Sequence, residues 1–278
     1  MTLIAFRAMA GIACLALLAA GASAQTGRPG QFEPQVGQQG KDVIWVPTPD
    51  ALVDRMLRMA NVTPQDFVMD LGSGDGRIAI AAGKNFKARA MGIEFNPDMV
   101  TLSNQNAARE GVVDAVKFIK ADIFETDFSQ ASVITMYLLP SLNVKLRPKL
   151  LDMKAGTRVT SHAFDMGEWV ADETATVEGR SAYLWIIPAK TAGTWTLEVD
   201  GGKIDMQITQ TFQKIEGNLK RGARLSPLNG ALRGDEIRFS APDGKGGRQN
   251  FVGRVTGERM EGQSGSERWN AIRTAKAG

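Results

Sequence analysis

The chain has 278 residues, 43% of them hydrophobic, with 33 Lys and Arg against 30 Asp and Glu, so a real core is expected and the net charge is only +3. The cations are dispersed without a long basic run, which argues against a nucleic-acid partner. The only cysteine, Cys14, lies in the N-terminal apolar segment, so the rest of the chain has no disulfide, thiol nucleophile or cysteine metal site. No metal is expected.

The first residues read as a leader. Arg7 supplies a positive charge, residues 8–20 are an apolar run short for a bilayer, and Ala22-Ser23-Ala24 offers a small-x-small cleavage site before Gln25. Residues 1–24 are therefore expected to be a signal peptide, placing the protein in the periplasm or otherwise outside the cytoplasm. The alternative is a retained anchor, since residues 3–24 carry only Arg7 as a charge, and this would bring the protein close to a membrane. Residues 25–44, rich in Gly, Gln and Pro, are expected to form a flexible lead-in.

From residue 45 to 190 the pattern predicts an α/β domain. Pro49-Asp50 opens a helix with Leu52, Val53, Met56, Leu57 and Ala60 at helical spacing. Residues 66–71, 88–95, 116–121, 132–138 and 158–163 read as strands, with helices at 77–85, 97–110 and around 142–153. Such alternation predicts a mostly parallel, Rossmann-like sheet with helices on both faces. Residues 174–178 and 183–188 could close it as an antiparallel pair. At Thr191 the texture changes to alternating segments at 195–199, 204–212 and 249–255, punctuated by Gly201-Gly202, Asn229-Gly230 and Asp243-Gly244. Residues 191–278 are thus expected to be a small antiparallel β-barrel or sandwich without helices.

The chemistry concentrates at strand ends. Asp70-Leu71-Gly72-Ser73-Gly74-Asp75-Gly76-Arg77 falls between a strand and a helix, where glycines permit a tight turn and close backbone approach to a ligand. A dinucleotide fingerprint beginning at Gly72 needs glycine at position 77, where the chain has arginine. Asp70 and Asp75 would repel a pyrophosphate but suit a cationic ligand, and S-adenosylmethionine carries an ammonium and a sulfonium. Glu94, ending the second strand, can accept both ribose hydroxyls, a feature shared with dinucleotide sites. Asp122, ending the third, can reach the adenine amino group. The expected cofactor residues are Asp70, Gly72, Ser73, Gly74, Asp75, Gly76, Glu94 and Asp122, and the expected cofactor is S-adenosylmethionine.

These motifs resemble those of class I S-adenosylmethionine-dependent methyltransferases. Read together, Trp45-Val46-Pro47-Thr48-Pro49, Tyr137-Leu138-Leu139-Pro140 and Gly156-Thr157-Arg158-Val159-Thr160-Ser161-His162 resemble a narrower group. That group is the lysine methyltransferases of ATP synthase c-subunit and adenine nucleotide translocase, with their bacterial relatives. Trp45 stands where that family usually has tyrosine, so a hydroxyl role does not carry over there. The resemblance covers about residues 45–170 and implies a protein-lysine acceptor. It also implies that residues 45–49 fold over the cofactor, and that Thr48, Tyr137 and Pro140 stand on the reacting side. The stretch at Tyr137 lacks the Asn/Asp-Pro-Pro-aromatic sequence of amino-methylating DNA enzymes. His162, the only histidine, could act as a base or as a structural hydrogen-bonding residue.

In the tail, Gly193-Thr194-Trp195 with the distant Arg273 resembles the lipocalin pattern in which a guanidinium stacks on an indole. Two alternative functions stay open: methylation of a small molecule or lipid, and an exported non-catalytic binding protein. The sequence leaves the oligomeric state unspecified.

Overall fold

Short apolar segments alternating with amphipathic ones produce two sheets in the computed structural model, which describes residues 32–243 and 246–276. The expected leader at 1–24 lies outside the described residues. In chain order the first sheet uses α1 (Asp50–Met59), β1 (Phe67–Leu71), α2 (Arg77–Phe86), β2 (Arg89–Glu94), α3 (Pro97–Arg109), β3 (Val116–Lys120), β4 (Val133–Met136), α4 (Pro140–Leu151), β5 (Arg158–His162), β6 (Glu173–Val177) and β7 (Arg180–Ile186). Its strand order is β3-β2-β1-β4-β5-β7-β6, with β7 antiparallel to both neighbours. Crossovers run outward from β1 in both directions, so the order reverses between β1 and β4 and a crevice opens there at the carboxyl ends of the strands.

Helices cover both faces. Leu52, Val53, Met56 and Leu57 of α1 pack with Ile78 and Ala79 of α2 and Ala107 of α3 on one side. Leu146 and Leu150 of α4 meet Met69, Leu71, Ile134 and Met136 on the other. Both clusters are closed to water, and each large apolar side chain they bury contributes about 1.5–3 kcal/mol.

The second half of the expected flexible lead-in is corrected by the structure. Gly37 N–H donates to Trp45 O (2.9 Å), Trp45 N–H to Gln38 O (2.8 Å) and Gly40 N–H to Val43 O (2.8 Å), making a small hairpin. Satisfied backbone groups give this segment a definite shape.

The second sheet is a closed eight-stranded barrel, which decides between barrel and sandwich. It contains β8 (Gly193–Val199), β9 (Gly202–Thr211), β10 (Lys214–Arg221), β11 (Arg224–Arg233), β12 (Glu236–Pro242), β13 (Arg248–Thr256), β14 (Arg259–Ser264) and β15 (Glu267–Lys276). Inward residues alternate with exposed ones, and Trp195, Met206, Phe239, Phe251 and Trp269 fill the interior. Asn229-Gly230, expected at a turn, lies inside β11; Gly230 pairs with Phe239, where a side chain would meet the Phe239 Cβ at 2.6 Å. Gly201-Gly202 does turn the β8–β9 hairpin, and Gly244 lies outside the described residues.

Both sheets belong to one compact unit from Pro34 onward. Ala189 N–H donates to Gly234 O (2.8 Å) across the join, and Ala155 packs on the barrel core. Arg273 stacks over Trp195 (4.4 Å) and donates to Ala192 O (2.6 Å) and Lys190 O, so it ties β15 to the start of the barrel. Arg273→Ala would leave those carbonyls without this donor and remove the stack, and a loss of about 2–3 kcal/mol is expected from urea denaturation of the full chain.

Candidate cofactor and acceptor site

The crevice at the sheet reversal holds a cavity of about 250 Å³. Asp70, Gly72, Ser73, Gly74, Asp75, Glu94, Asp122, Thr48 and Tyr137 all line it. The expected residues from three successive strand ends thus meet in one place.

Asp70 ends β1 with 2% exposure, and its Oδ1 accepts from Thr135 Oγ1 (2.7 Å). Burial pushes its carboxyl up to about 7; the Thr135 hydroxyl opposes this, while the charges of Asp75 and Glu94 add to it. The chain then turns through Gly72 and Ser73, whose N–H groups both donate to Ile93 O at 2.9 and 3.0 Å. Gly74 has φ +53°, and a side chain there would meet the Trp45 indole Nε1 at 2.7 Å. Gly76 has φ +86° at the start of α2, against Phe118 and Ser103. It shapes the turn without lining the cavity.

Glu94 Oε2 accepts from Gly74 N–H (3.0 Å) and Oε1 from Asn96 N–H (2.9 Å), so its carboxylate is fixed with lone pairs to spare. Asp122 accepts from Phe124 N–H (2.9 Å) and pairs with Lys41 of the lead hairpin (2.5 Å). The Lys41 hydrogen bond, then the Phe124 amide, hold the Asp122 carboxyl below the usual range. Lys41 also lies 4.6 Å from the centre of the Phe95 ring.

Two expectations need correction. Asp75 reaches the cavity wall, but its carboxylate is held by Arg77 (Nη2–Oδ2 2.6 Å, Nε–Oδ1 3.0 Å), so it is no free counter-charge for a cationic ligand. Arg77 also donates to Thr48 O (2.9 Å) and thereby anchors the Trp45–Thr48 segment. Pro140 is exposed and occupies the first turn of α4, where a missing N–H costs nothing. Leu139 and Leu142 line the cavity in its place.

On the side expected to react, Thr48 Oγ1 is hydrogen-bonded to His162 Nδ1 (3.0 Å), and the Tyr137 ring lies on His162 with centroids 3.8 Å apart. Burial first, and then the charge of Arg180, push the His162 pKa down to about 4. A neutral imidazole of such low basicity is poorly suited to deprotonating an amine, and the ring is in contact with both Thr48 and Tyr137. Phe164 stacks beyond Tyr137 (6.1 Å) and lines the same cavity. Phe95, Met99 and Ile123 supply apolar wall. Phe95 and Ile123 directly follow Glu94 and Asp122, so the strand-end rule that found the acids also points to them. Lys41 and Phe164 had no such local signal.

The buried Asp70 carboxylate, the Ser73 hydroxyl without a partner, the part-used Glu94 carboxylate and the apolar wall fit a nucleoside with a positively charged tail. On this strand order, such a cavity fits the class I S-adenosylmethionine-dependent methyltransferases that the sequence resembles. Residues 70–173 match the ANTKMT methyltransferase domain. A protein-lysine N-methyltransferase of Saccharolobus islandicus is 42% identical over 151 residues, spanning 52% of this chain and 94% of that protein. The mouse lysine N-methyltransferase of the ATP synthase c-subunit is 37% identical over 131 residues, 47% of this chain and 52% of its own length. The chain thus spans about half the length of that animal relative. The crystal structure of an RNA methyltransferase from Salinibacter ruber in complex with S-adenosyl-L-homocysteine is 51% identical, with TM-score 0.52, covering 52% of this chain and 96% of that one. The chain belongs to this ANTKMT-type family of S-adenosylmethionine-dependent methyltransferases, and its barrel lies outside the matched region.

Ionised Asp70 is the form that would attract a cationic tail of the cofactor. Its raised pKa means affinity is expected to weaken about tenfold per unit as pH falls below about 7, and to weaken again above about pH 8 as the ligand's own α-ammonium deprotonates. Calorimetric titration across pH 5–9 checks this, and Asp70→Asn should be weaker throughout and lose the acidic limb. Gly74→Ala should weaken binding about tenfold or more in the same titration, because Trp45 must move.

Proposed function

We propose that this enzyme methylates lysine side chains of a protein acceptor. The reading is carried by similarity to the Saccharolobus islandicus protein-lysine N-methyltransferase along nearly all of that protein's length. The aromatic and apolar wall of Tyr137, Phe164, Leu139 and Leu142 supports it.

In this mechanism Asp70 would hold the cationic tail of S-adenosylmethionine, Glu94 the ribose hydroxyls, and Phe95 and Ile123 would offer apolar wall to the base. The bound cofactor supplies an electrophilic methyl on a sulfonium. The lead hairpin and the Trp45–Thr48 segment exclude water. The acceptor amine must be neutral to attack in line, and an apolar channel beside Tyr137 and Phe164 lowers its pKa by desolvation. Thr48 and His162 position Tyr137. With His162 neutral, no fixed positive charge from that ring opposes an arriving lysine.

A second reading, methylation of RNA, is favoured by one observation, the relation to the Salinibacter ruber enzyme. Incubating the full chain and tritiated cofactor with cell extract separates the two. Label in ribonuclease-resistant protein, with methyl-lysine by mass spectrometry, is expected; label confined to RNA would sink the lysine reading. Tyr137→Ala is expected to lower protein labelling about tenfold to a hundredfold with cofactor affinity nearly unchanged.

The proposal extends to location, with residues 1–24 directing export and the acceptor exposed at or beyond the membrane. In fractionated cells carrying a C-terminally tagged chain, recovery outside the cytoplasm with Gln25 at the N-terminus is expected. An intact Met1 in the cytoplasmic fraction refutes it.

A further inference from the structure

The barrel touches the methyltransferase half through a strained turn. Phe212 and Gln213 connect β9 and β10, and Phe212 has φ +53°, a conformation that favours glycine and is an outlier for a bulky side chain. Strain of this kind, on the order of 1 kcal/mol, persists only where surrounding contacts hold it. Here they do. Gln210 Nε2 donates to Phe212 O (2.8 Å) and to Ala189 O (2.9 Å), fixing the turn from the barrel side.

The Phe212 ring leaves the barrel and joins the core of the other sheet. It stacks on buried Trp169 (5.9 Å, 15° between planes), and the Arg147 guanidinium of α4 lies 5.2 Å from its centre. Gln213 Nε2 donates to Val170 O (2.8 Å). Trp169 and Val170 lie in the loop between β5 and β6, which starts at Ala163 (φ +64°) and carries Phe164 to the cavity. Fixing the near end, α4 contributes Asn143, which donates to Phe164 O (3.2 Å) and Asp165 O (3.0 Å), and Arg147, which donates to Met166 O (2.9 Å). Arg147 therefore touches both the loop and the ring that props it.

We infer that the barrel positions the acceptor wall: Phe212, in contact with both Trp169 and Arg147, sets the 163–172 loop and with it Phe164. Phe212 is a positioning residue and touches no reacting atom. The inference rests on the reading of Tyr137 and Phe164 as the acceptor side.

Phe212→Gly removes the ring while suiting the turn, so the barrel should fold at least as well as before. Hydrogen–deuterium exchange on the full chain is expected to show protection of 163–171 falling about tenfold, with β9 and β10 unchanged and Phe212→Tyr restoring the loop. Affinity for S-adenosylmethionine should stay within about twofold, because Asp70 and Glu94 are not in contact with the turn. Tritium transfer should fall at limiting extract and recover at saturating extract, a KM effect that mere loss of fold would not give. Unchanged loop protection in Phe212→Gly overturns the coupling. A loosened loop with unchanged transfer overturns its link to catalysis and the acceptor-wall reading together. No transfer to protein by the unaltered chain sinks the lysine reading alone, and the exchange result then decides the coupling.

Discussion

A carboxylate buried at the end of the central strand governs the arrangement of this molecule. Among the described residues Asp70 has one side-chain hydrogen bond, from Thr135, which it faces one residue before the end of the β1–β4 ladder. Removing a carboxylate from water is costly unless a cation or further donors meet it. The crevice leaves room for a cation, and the neighbouring turn is built to bring one close: Gly72 and Gly74 carry no side chain, and the Gly72 and Ser73 amides are tied back to Ile93 O. Stability is given up locally so that the ligand's charge has a place, a trade commonly found at functional sites.

Around that point the chain spends its other charges on itself. Arg77 neutralises Asp75 and holds Thr48 O, and Lys41 neutralises Asp122 from 81 residues away. These pairs carry the N-terminal hairpin across the cavity, so cofactor and lead segment share a wall. On the opposite side His162 joins Thr48 to Tyr137. The Trp45–Thr48 segment therefore spans the cavity: Trp45 faces the glycine turn, and Thr48 reaches His162. The barrel adds a third support, through a turn whose positive φ closes the β9–β10 hairpin while its Phe212 ring packs on the other sheet.

Local patterns carried a large share of this. Helical spacing at Leu52, Val53, Met56 and Leu57 and the short apolar strands marked the α/β half, because burial of one face repeats with the period of the element. Asp70, Glu94 and Asp122 could be assembled into one site from their positions in the chain, since a parallel sheet brings the carboxyl ends of its strands to a common edge. The Asn229-Gly230 pair misled, because a glycine inside a barrel strand admits a neighbouring aromatic ring and only resembles a turn. Pro140 misled for a related reason: its place in the motif is explained by starting a helix, and the wall is made by the leucines on either side.

By itself, the sequence determined the α/β order, the change to an antiparallel barrel after Thr191, and the set of strand-end acids that line one cavity. All of these follow from short-range periodicity and from steric rules acting within a few residues. Only the tertiary structure decided which charges remain available to a ligand, that the lead segment is a hairpin over the cavity, and that Phe212 reaches Trp169. Apart from the neighbouring Arg77–Asp75 pair and the hairpin's own backbone bonds, those facts depend on contacts between residues far apart in the chain, as Arg77 with Thr48 O and Lys41 with Asp122 are. Their partners are chosen by packing, which no local pattern records.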